Sequence, residues 1–128
     1  MDRKLWEKGL EKRKATLGAA YVDKSMSTVN DFNKEFQDLV NEYCWGFVWG
    51  DDRLSPKTRS MLNLAMLGAL GRMTEWELHF NGALNNGVTH EELKAVLHQI
   101  AIYAGIPAGV ECFRIARKVL AERDAKKS

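Results

Sequence analysis

Residues 72–107 decide the fold, and they read RMTEWELHFNGALNNGVTHEELKAVLHQIAIYAGIP. The stretch contains the T-x-x-E pattern twice, at residues 74–77 and 89–92, which is the capping box that opens a helix. Gly87 is a natural helix stop, and Gly105-Ile106-Pro107 breaks the chain again. The stretch therefore predicts one helix over residues 74–86, a second from residue 89 to about 104, and a third from Pro107 to about Arg123.

Three more helices are predicted on the N-terminal side of this stretch. They span roughly residues 2–16 (ending near Gly18), residues 31–45, and a segment opened by Ser55-Pro56, an N-cap serine followed by proline at the first helical position. Residues 61–70 of the last segment are apolar almost all round, which is typical of a helix buried on every side. With no strand-like alternation, we expect an all-α bundle of about six helices, forming a single domain over residues 1–128.

Composition and charge exclude several classes of protein. A net charge of +2 is too small to argue for nucleic acid. The longest apolar run is far short of the roughly 20 residues that cross a membrane. The charged N-terminal segment does not resemble a signal peptide. Cys44 and Cys112 form no CxxC pair, and we expect both to be buried free thiols. The three histidines lack zinc-site spacing, so we expect no metal.

The candidate chemistry lies on the helix predicted over residues 74–86. Glu75 and His79 are one turn apart, and Arg72 precedes them on nearly the same face. An acid, a base that titrates near neutrality and a fixed cation suffice for proton transfer without a metal or organic cofactor. A structural ion pair beside the core is the alternative. Glu77 has a predicted capping role, which lowers its claim to partner His79 without removing it, and His90 and His98 are expected on the surface.

Other residues admit a structural and a functional interpretation. Trp45 and Trp49 flank a glycine and either roof a pocket for a small flat ligand or pack in the core. Arg59 stands so close to an apolar run that it needs an anion, from the protein or from a ligand. Leu78 points away from the apolar stripe of its helix, which indicates either contact with a second subunit or one exposed leucine.

Taken together, these motifs resemble the carboxymuconolactone decarboxylase family over roughly residues 10–120. The resemblance rests on W-G-x-x-W at 45–49, R-S-M-L-N-L-A-M-L at 59–67, A-L-G-R at 69–72, E-L-H at 77–79, A-L-N-N-G-V-T at 83–89, Y-A-G-I-P-A at 103–108 and F-R-I-A-R at 113–117. It implies an all-α fold of the alkylhydroperoxidase AhpD-like superfamily, assembled as a homo-oligomer, usually a hexamer. It also implies a cytoplasmic lyase of aromatic catabolism. Such an enzyme converts 4-carboxymuconolactone to 3-oxoadipate enol-lactone and carbon dioxide, in the protocatechuate branch of the β-ketoadipate pathway.

The resemblance also implies roles for individual residues. His79 would be the general acid, with Glu75 orienting it and Arg72 and Arg59 holding carboxylate or oxyanion. Tyr103 would donate a hydrogen bond to the substrate, a carboxylated lactone, while Trp45 and Trp49 shield the scissile carboxylate. Redox relatives carry CxxCxxxH on this helix, and here Arg72 and Glu75 replace both cysteines. The remaining alternatives are a paralogue acting on another small carboxylated lactone or keto acid, and a redox-accessory oligomer with a lone reactive thiol.

Overall fold

The structure is a computed structural model that describes residues 1–127, in which every regular element is helical. The chain divides into two compact units, one covering Met1–Pro56 and the other beginning at Lys57. The first unit contains α1 (Arg3–Leu17), α2 (Ala19–Ser27), α3 (Lys34–Leu39) and a π-helical segment, Val40–Val48, that continues α3. Four helices follow: α4 (Pro56–Leu70), α5 (Met73–Asn85), α6 (His90–Ala104) and α7 (Ile106–Lys127). The all-α prediction is confirmed for the described residues.

In the first unit, α1 packs closely against the π-helical segment. A Cβ added to Gly9 would lie 1.7 Å from the backbone oxygen of Asn41, so the two backbones approach as only a glycine permits. Arg13 of α1 is buried, and its Nη1 donates to Asn41 Oδ1 at 2.9 Å and to Gln37 Oε1 at 3.1 Å. These two hydrogen bonds join α1 to α3 and to the π-helical segment in the interior of the unit.

The helix predicted over residues 31–45 begins later in the structure, at Lys34. From Val40 onward it changes from α-helical to wider π-helical turns. Its evenly spaced apolar residues are largely exposed, with Phe32 at 97%. The buried aromatic residues of this unit are Trp45 and Trp49, and their rings lie 4.7 Å apart. The sequence also failed to predict α2, which starts directly after Gly18, where a φ of 93° turns the chain at the end of α1.

In the second unit, α4 is buried along one face only. Ser60, Leu64 and Gly68, spaced by four residues, form that face. Leu62, Met66 and Leu70 lie on another face and are 45%, 55% and 72% exposed. The prediction that this helix is buried on every side is therefore wrong for the chain by itself, because composition does not show which side of an all-apolar helix meets the core.

The two predicted capping boxes have opposite outcomes. Thr89 Oγ1 accepts from the Glu92 amide at 3.1 Å, and Glu92 Oε1 accepts from the Thr89 amide at 2.9 Å, so the second box is confirmed. The first is wrong, because α5 begins at Met73, with Arg72 in the N-cap position and no side-chain cap. Glu77 is instead bound by Lys118 of α7.

The remaining boundaries agree closely with the sequence. Gly87 (φ 85°) follows α5, and Gly105 (φ 108°) separates α6 from α7, which starts at Ile106 and runs past Arg123 to Lys127. The prediction of two buried thiols holds for Cys112 and is wrong for Cys44, which is exposed on the π-helical segment. Among the described helices, none has the length and hydropathy needed to cross a membrane.

Candidate functional site

His79 lies in the second turn of α5, beside the side chains that fix this helix to α4. Trp76, three residues earlier, is fully buried, and its Nε1 donates to the backbone oxygen of Leu64 at 3.0 Å. Phe80, the next residue, is also buried, and the Trp76 and Phe80 rings stack with centroids 5.2 Å apart. These neighbours hold the α5 backbone in place, so the half-buried His79 side chain is attached to a rigid part of the helix.

Asn63 of α4 contacts the His79 ring directly. Its Nδ2 lies 3.4 Å from His79 Nδ1, a long hydrogen bond between two part-buried side chains. Asn63 stands one turn after Arg59 on the same helix, within the stretch that is otherwise almost entirely apolar. No sequence pattern assigned this residue to the site. A single amide within an apolar run is the signal that could have found it.

Burial has the largest effect on the pKa of His79. Loss of water around the ring lowers its pKa from the ordinary 6.5 to about 4, while the charge of Glu75 acts in the opposite direction. Without ligand, the imidazole is therefore neutral at pH 7. The prediction of a base that titrates near neutrality is wrong for the chain alone. A nearby anion would be needed to return the pKa toward neutrality.

The two acidic residues of α5 have different environments. Glu75, in the first turn, is exposed and acts on His79 through its charge. Glu77 is half-buried, and both of its carboxylate oxygens accept hydrogen bonds from Lys118 Nζ, at 3.0 and 3.1 Å. A carboxylate already neutralised by a lysine has little effect on a more distant ring. The geometry therefore favours Glu75 over Glu77 as the acid that influences His79.

The other predicted residues occupy varied positions. Arg59 is half-buried on α4, one turn before Asn63, and Arg72 is exposed at the start of α5. Tyr103 lies in the last turn of α6 and is 83% exposed. Trp45 and Trp49 belong to the first unit, where they are buried and in contact with each other. Of the predicted residues, Glu75 acts on His79 through its charge, and Asn63, which was not predicted, contacts the ring.

The donor set of the described residues does not suggest a metal centre. Across residues 1–127, no group of three His, Cys, Asp or Glu side chains is placed to hold a metal ion. The groups that act on His79 are the Asn63 amide and the Glu75 carboxylate, and the Arg59 guanidinium stands one turn before Asn63 on α4. These groups bind anions and move protons.

Comparison with known proteins gives consistent matches. The model of the carboxymuconolactone decarboxylase family matches residues 34–118. The 4-carboxymuconolactone decarboxylase of Acinetobacter baylyi is 39% identical over 118 residues, which cover 92% of this chain and 88% of the relative. The nitrosuccinic acid decarboxylase of Metarhizium robertsii is 33% identical over 120 residues, covering 94% and 84%. The 4-carboxymuconolactone decarboxylase of Pseudomonas putida matches a shorter part, 36% identical over 45 residues, which cover 35% of this chain and 94% of the relative.

Proposed function

The chain belongs to the carboxymuconolactone decarboxylase family, and we propose that it is a carboxy-lyase that converts 4-carboxymuconolactone to 3-oxoadipate enol-lactone and carbon dioxide. The observation that carries this proposal is the placement of His79. A half-buried imidazole is held by an amide and biased by a carboxylate, in a chain 39% identical to a decarboxylase of that substrate. The pathway would be the protocatechuate branch of the β-ketoadipate pathway.

The substrate supplies its own electron sink. Its leaving carboxylate is attached to a carbon that is vinylogous to the lactone carbonyl. When the bond to that carboxylate breaks, its electron pair moves into the carbonyl and gives a delocalised dienolate. This is the role that an organic cofactor plays in other decarboxylations. The protein must hold a dianion, stabilise the developing oxyanion and deliver one proton to carbon.

We assign proton delivery to His79. The free ring is neutral at pH 7, so it must gain its proton when the substrate binds. Two carboxylates arriving in a partly dehydrated site raise the pKa of the ring, since a nearby negative charge stabilises the imidazolium. The imidazolium then protonates the dienolate and returns to its neutral form. Each turnover takes one proton from solvent. The dianionic substrate and this proton give a monoanionic product and neutral carbon dioxide, so charge is conserved.

Five other residues keep the roles that the resemblance gives them. Arg59, half-buried one turn from Asn63, is suited to bind a carboxylate, and exposed Arg72 can hold the second carboxylate or the oxyanion. Tyr103 would donate a hydrogen bond to the substrate. Trp45 and Trp49 would shield the scissile carboxylate from water, which favours loss of a charged group. Substitution of each, followed by measurement of kcat and KM, tests these assignments one at a time.

We further propose that the whole chain acts as one domain of the AhpD-like type and assembles as a homo-oligomer, with a hexamer as the expected state. The match to the Acinetobacter relative continues across 92% of the chain, which supports one functional domain. The exposed apolar face of α4, formed by Leu62, Met66 and Leu70, supports association with another copy. We place the protein in the cytoplasm, where a thiol as exposed as that of Cys44 stays reduced.

The direct test is an assay of the purified protein with freshly generated 4-carboxymuconolactone, without added metal or cofactor, followed by ultraviolet absorbance. Turnover supports the proposal, and its absence contradicts it. Nitrosuccinic acid is the informative second substrate, because the Metarhizium relative, 33% identical, is a decarboxylase of that compound. Turnover of nitrosuccinic acid alone would assign the chain to a different substrate within the same family.

A redox-accessory role is the remaining alternative, and the thiols argue against it. Partial desolvation by its neighbours raises the pKa of the exposed Cys44 thiol above its ordinary value, and burial raises the pKa of Cys112 to about 11, so little reactive thiolate is present at pH 7. Alkylation of Cys44 should therefore leave decarboxylation intact. Loss of activity after alkylation, together with loss of activity in a folded Cys44→Ser variant, would favour the thiol-dependent alternative.

A further inference from the structure

We propose that Asn63 is a positioning residue for His79: it holds Nδ1 of the ring toward α4 and makes Nε2 the nitrogen that exchanges the proton with the substrate. This inference rests on the proposed function for its kinetic consequence, because only an acting His79 gives the orientation a catalytic effect. Which nitrogen of the His79 ring carries the proton can be measured whether or not the chain turns over any substrate.

The register of α4 against α5 supports this assignment. Side-chain hydrogen bonds join α4 to α5 and to its C-cap, Asn86: Asn86 Nδ2 to Ser60 Oγ at 3.0 Å, Asn63 Nδ2 to His79 Nδ1 at 3.4 Å, and Trp76 Nε1 to the backbone oxygen of Leu64 at 3.0 Å. Positions rise along α4 as they fall along α5, so the helices run antiparallel. The His79 contact lies between the other two bonds, which prevent the helices from sliding past each other.

The chemistry of an amide explains why asparagine suits this position. An N–H that points at Nδ1 requires a lone pair there, so the neutral ring carries its proton on Nε2. A hydrogen bond to the neutral form also disfavours the charged form, in the same direction as the lowered pKa of His79. When the ring gains its second proton, a half-turn of the amide presents Oδ1 to Nδ1–H. An aspartate or a leucine cannot serve both states.

The charged groups around the ring do not replace this contact. Glu75 acts from the first turn of α5 through its charge and raises the pKa of His79. Arg59 stands on α4 one turn before Asn63. The Glu75 charge changes how readily the ring is protonated. A hydrogen bond at Nδ1, by contrast, determines which nitrogen carries the single proton of the neutral ring.

Asn81 provides a matched control on the same helix. Like Asn63 it is a part-buried asparagine, but its Oδ1 accepts from Arg123 Nε at 2.9 Å and its Nδ2 donates to the backbone oxygen of Glu77 at 3.2 Å. The Arg123 contact connects α5 to α7, and the Glu77 contact lies within α5. Asn81→Leu should therefore lower thermal stability without changing the tautomer of His79 or kcat, whereas Asn63→Leu should change both.

Nitrogen-15 NMR of histidine-labelled protein at pH 7 is the first test. The spectrum of His79→Gln identifies the His79 signals among those of the three histidines. We expect a protonated Nε2 and an unprotonated Nδ1 in the native chain, a mixture of tautomers in Asn63→Leu, and a protonated Nδ1 in Asn63→Asp, whose carboxylate can only accept. A protonated Nδ1 in the native chain overturns the proposal, even if neither variant folds.

Kinetics provide the second test, with 4-carboxymuconolactone as the probe. Asn63→Leu should lower kcat about 10-fold with KM within twofold, since a misoriented general acid loses part of its roughly 100-fold or greater contribution. Asn63→Asp should shift the pH profile upward, because its charge stabilises the imidazolium. Unchanged kcat and an unchanged pH profile in both folded variants would overturn the proposal. An inactive native chain with the expected NMR pattern would instead count against the proposed function alone.

Discussion

Lys118 of α7 binds both carboxylate oxygens of Glu77, at 3.0 and 3.1 Å, and so pairs the acid that the sequence left as a rival to Glu75. Glu75 stays exposed in the first turn of α5, where its charge raises the pKa of His79. The two acids of one helix thus have separate tasks. Glu77 connects α5 to α7, and Glu75 biases the candidate general acid.

Glu75→Gln and Glu77→Gln should separate these tasks. Removing the Glu75 charge lowers the pKa of His79 further, so less imidazolium forms with substrate bound. We expect kcat at pH 7 to fall several-fold, because less of the acting acid is protonated. Glu77→Gln should keep kcat within twofold and lower thermal stability slightly. Steady-state kinetics from pH 5 to 8 measure both, and a larger loss of kcat in Glu77→Gln would reverse the assignment.

Acid should destabilise the chain through His79 in a defined pH range. The ring has a pKa of about 4 when folded and an ordinary value of 6.5, so the unfolded chain binds a proton first as pH falls. Stability is therefore full above pH 6.5 and decreases toward pH 4, by about 3 kcal/mol over that range. Glu92, whose pKa is lowered to about 2 chiefly by Lys57, adds its own loss only below 4.5.

Urea denaturation of the native chain and of His79→Gln at pH 7, 5.5 and 4.5 tests whether His79 makes stability decrease as the pH falls. The variant lacks the titrating ring, so its free energy of unfolding should decrease less between pH 7 and 4.5. Parallel curves for the two proteins would mean that His79 titrates similarly in the folded and unfolded states.

Gly9→Ala and Gly18→Ala should have very different effects on stability. A Cβ at Gly9 would collide with the Asn41 backbone oxygen of the π-helical segment, so a backbone must move, at a cost of about 3 kcal/mol or more. At Gly18 nothing lies within 4 Å, and the φ of 93° alone costs about 1–2 kcal/mol. Thermal denaturation measures the difference. Equal losses would contradict the close packing of α1 on this segment.

Met66→Lys should weaken the proposed association. Met66 is 55% exposed at the middle of the apolar face of α4, so a charge there would be buried without a partner in an oligomer. We expect a lower molar mass by light scattering, with helicity unchanged by circular dichroism. Lys94→Ala, an exposed change on α6, is the control. An unchanged mass in Met66→Lys would place the interface elsewhere or show that the chain is a monomer.

Local signals predicted the second unit well and the first unit poorly. The capping box at Thr89 and the stops at Gly87 and Gly105 act through neighbouring backbone groups, so the sequence shows them. The identical pattern at Thr74 has no such role, because α5 starts one residue earlier, at Met73. The π-helical turns after Val40 and the short helix α2 depend on packing against α1, and periodicity does not encode that packing.

The sequence predicted only the part of the site that lies within one helix. Glu75 and His79 belong to one helix, so their spacing could be read directly. Asn63 reaches His79 from a different helix, 16 positions earlier, and only the fold brings them together. The lowered pKa of His79 likewise comes from burial, which no spacing predicts. The pattern identified the chemical groups, and the packing determined the protonation state of the histidine.

Steady-state decarboxylation of 4-carboxymuconolactone by the native chain and by His79→Gln tests the central claim most directly. We predict carbon dioxide release by the native chain without added cofactor. We also predict a kcat lower by about 100-fold or more in the variant, the contribution expected of a positioned general acid. Circular dichroism should confirm that the variant keeps its helices. A folded His79→Gln protein that turns over within a few-fold of the native rate would contradict the account.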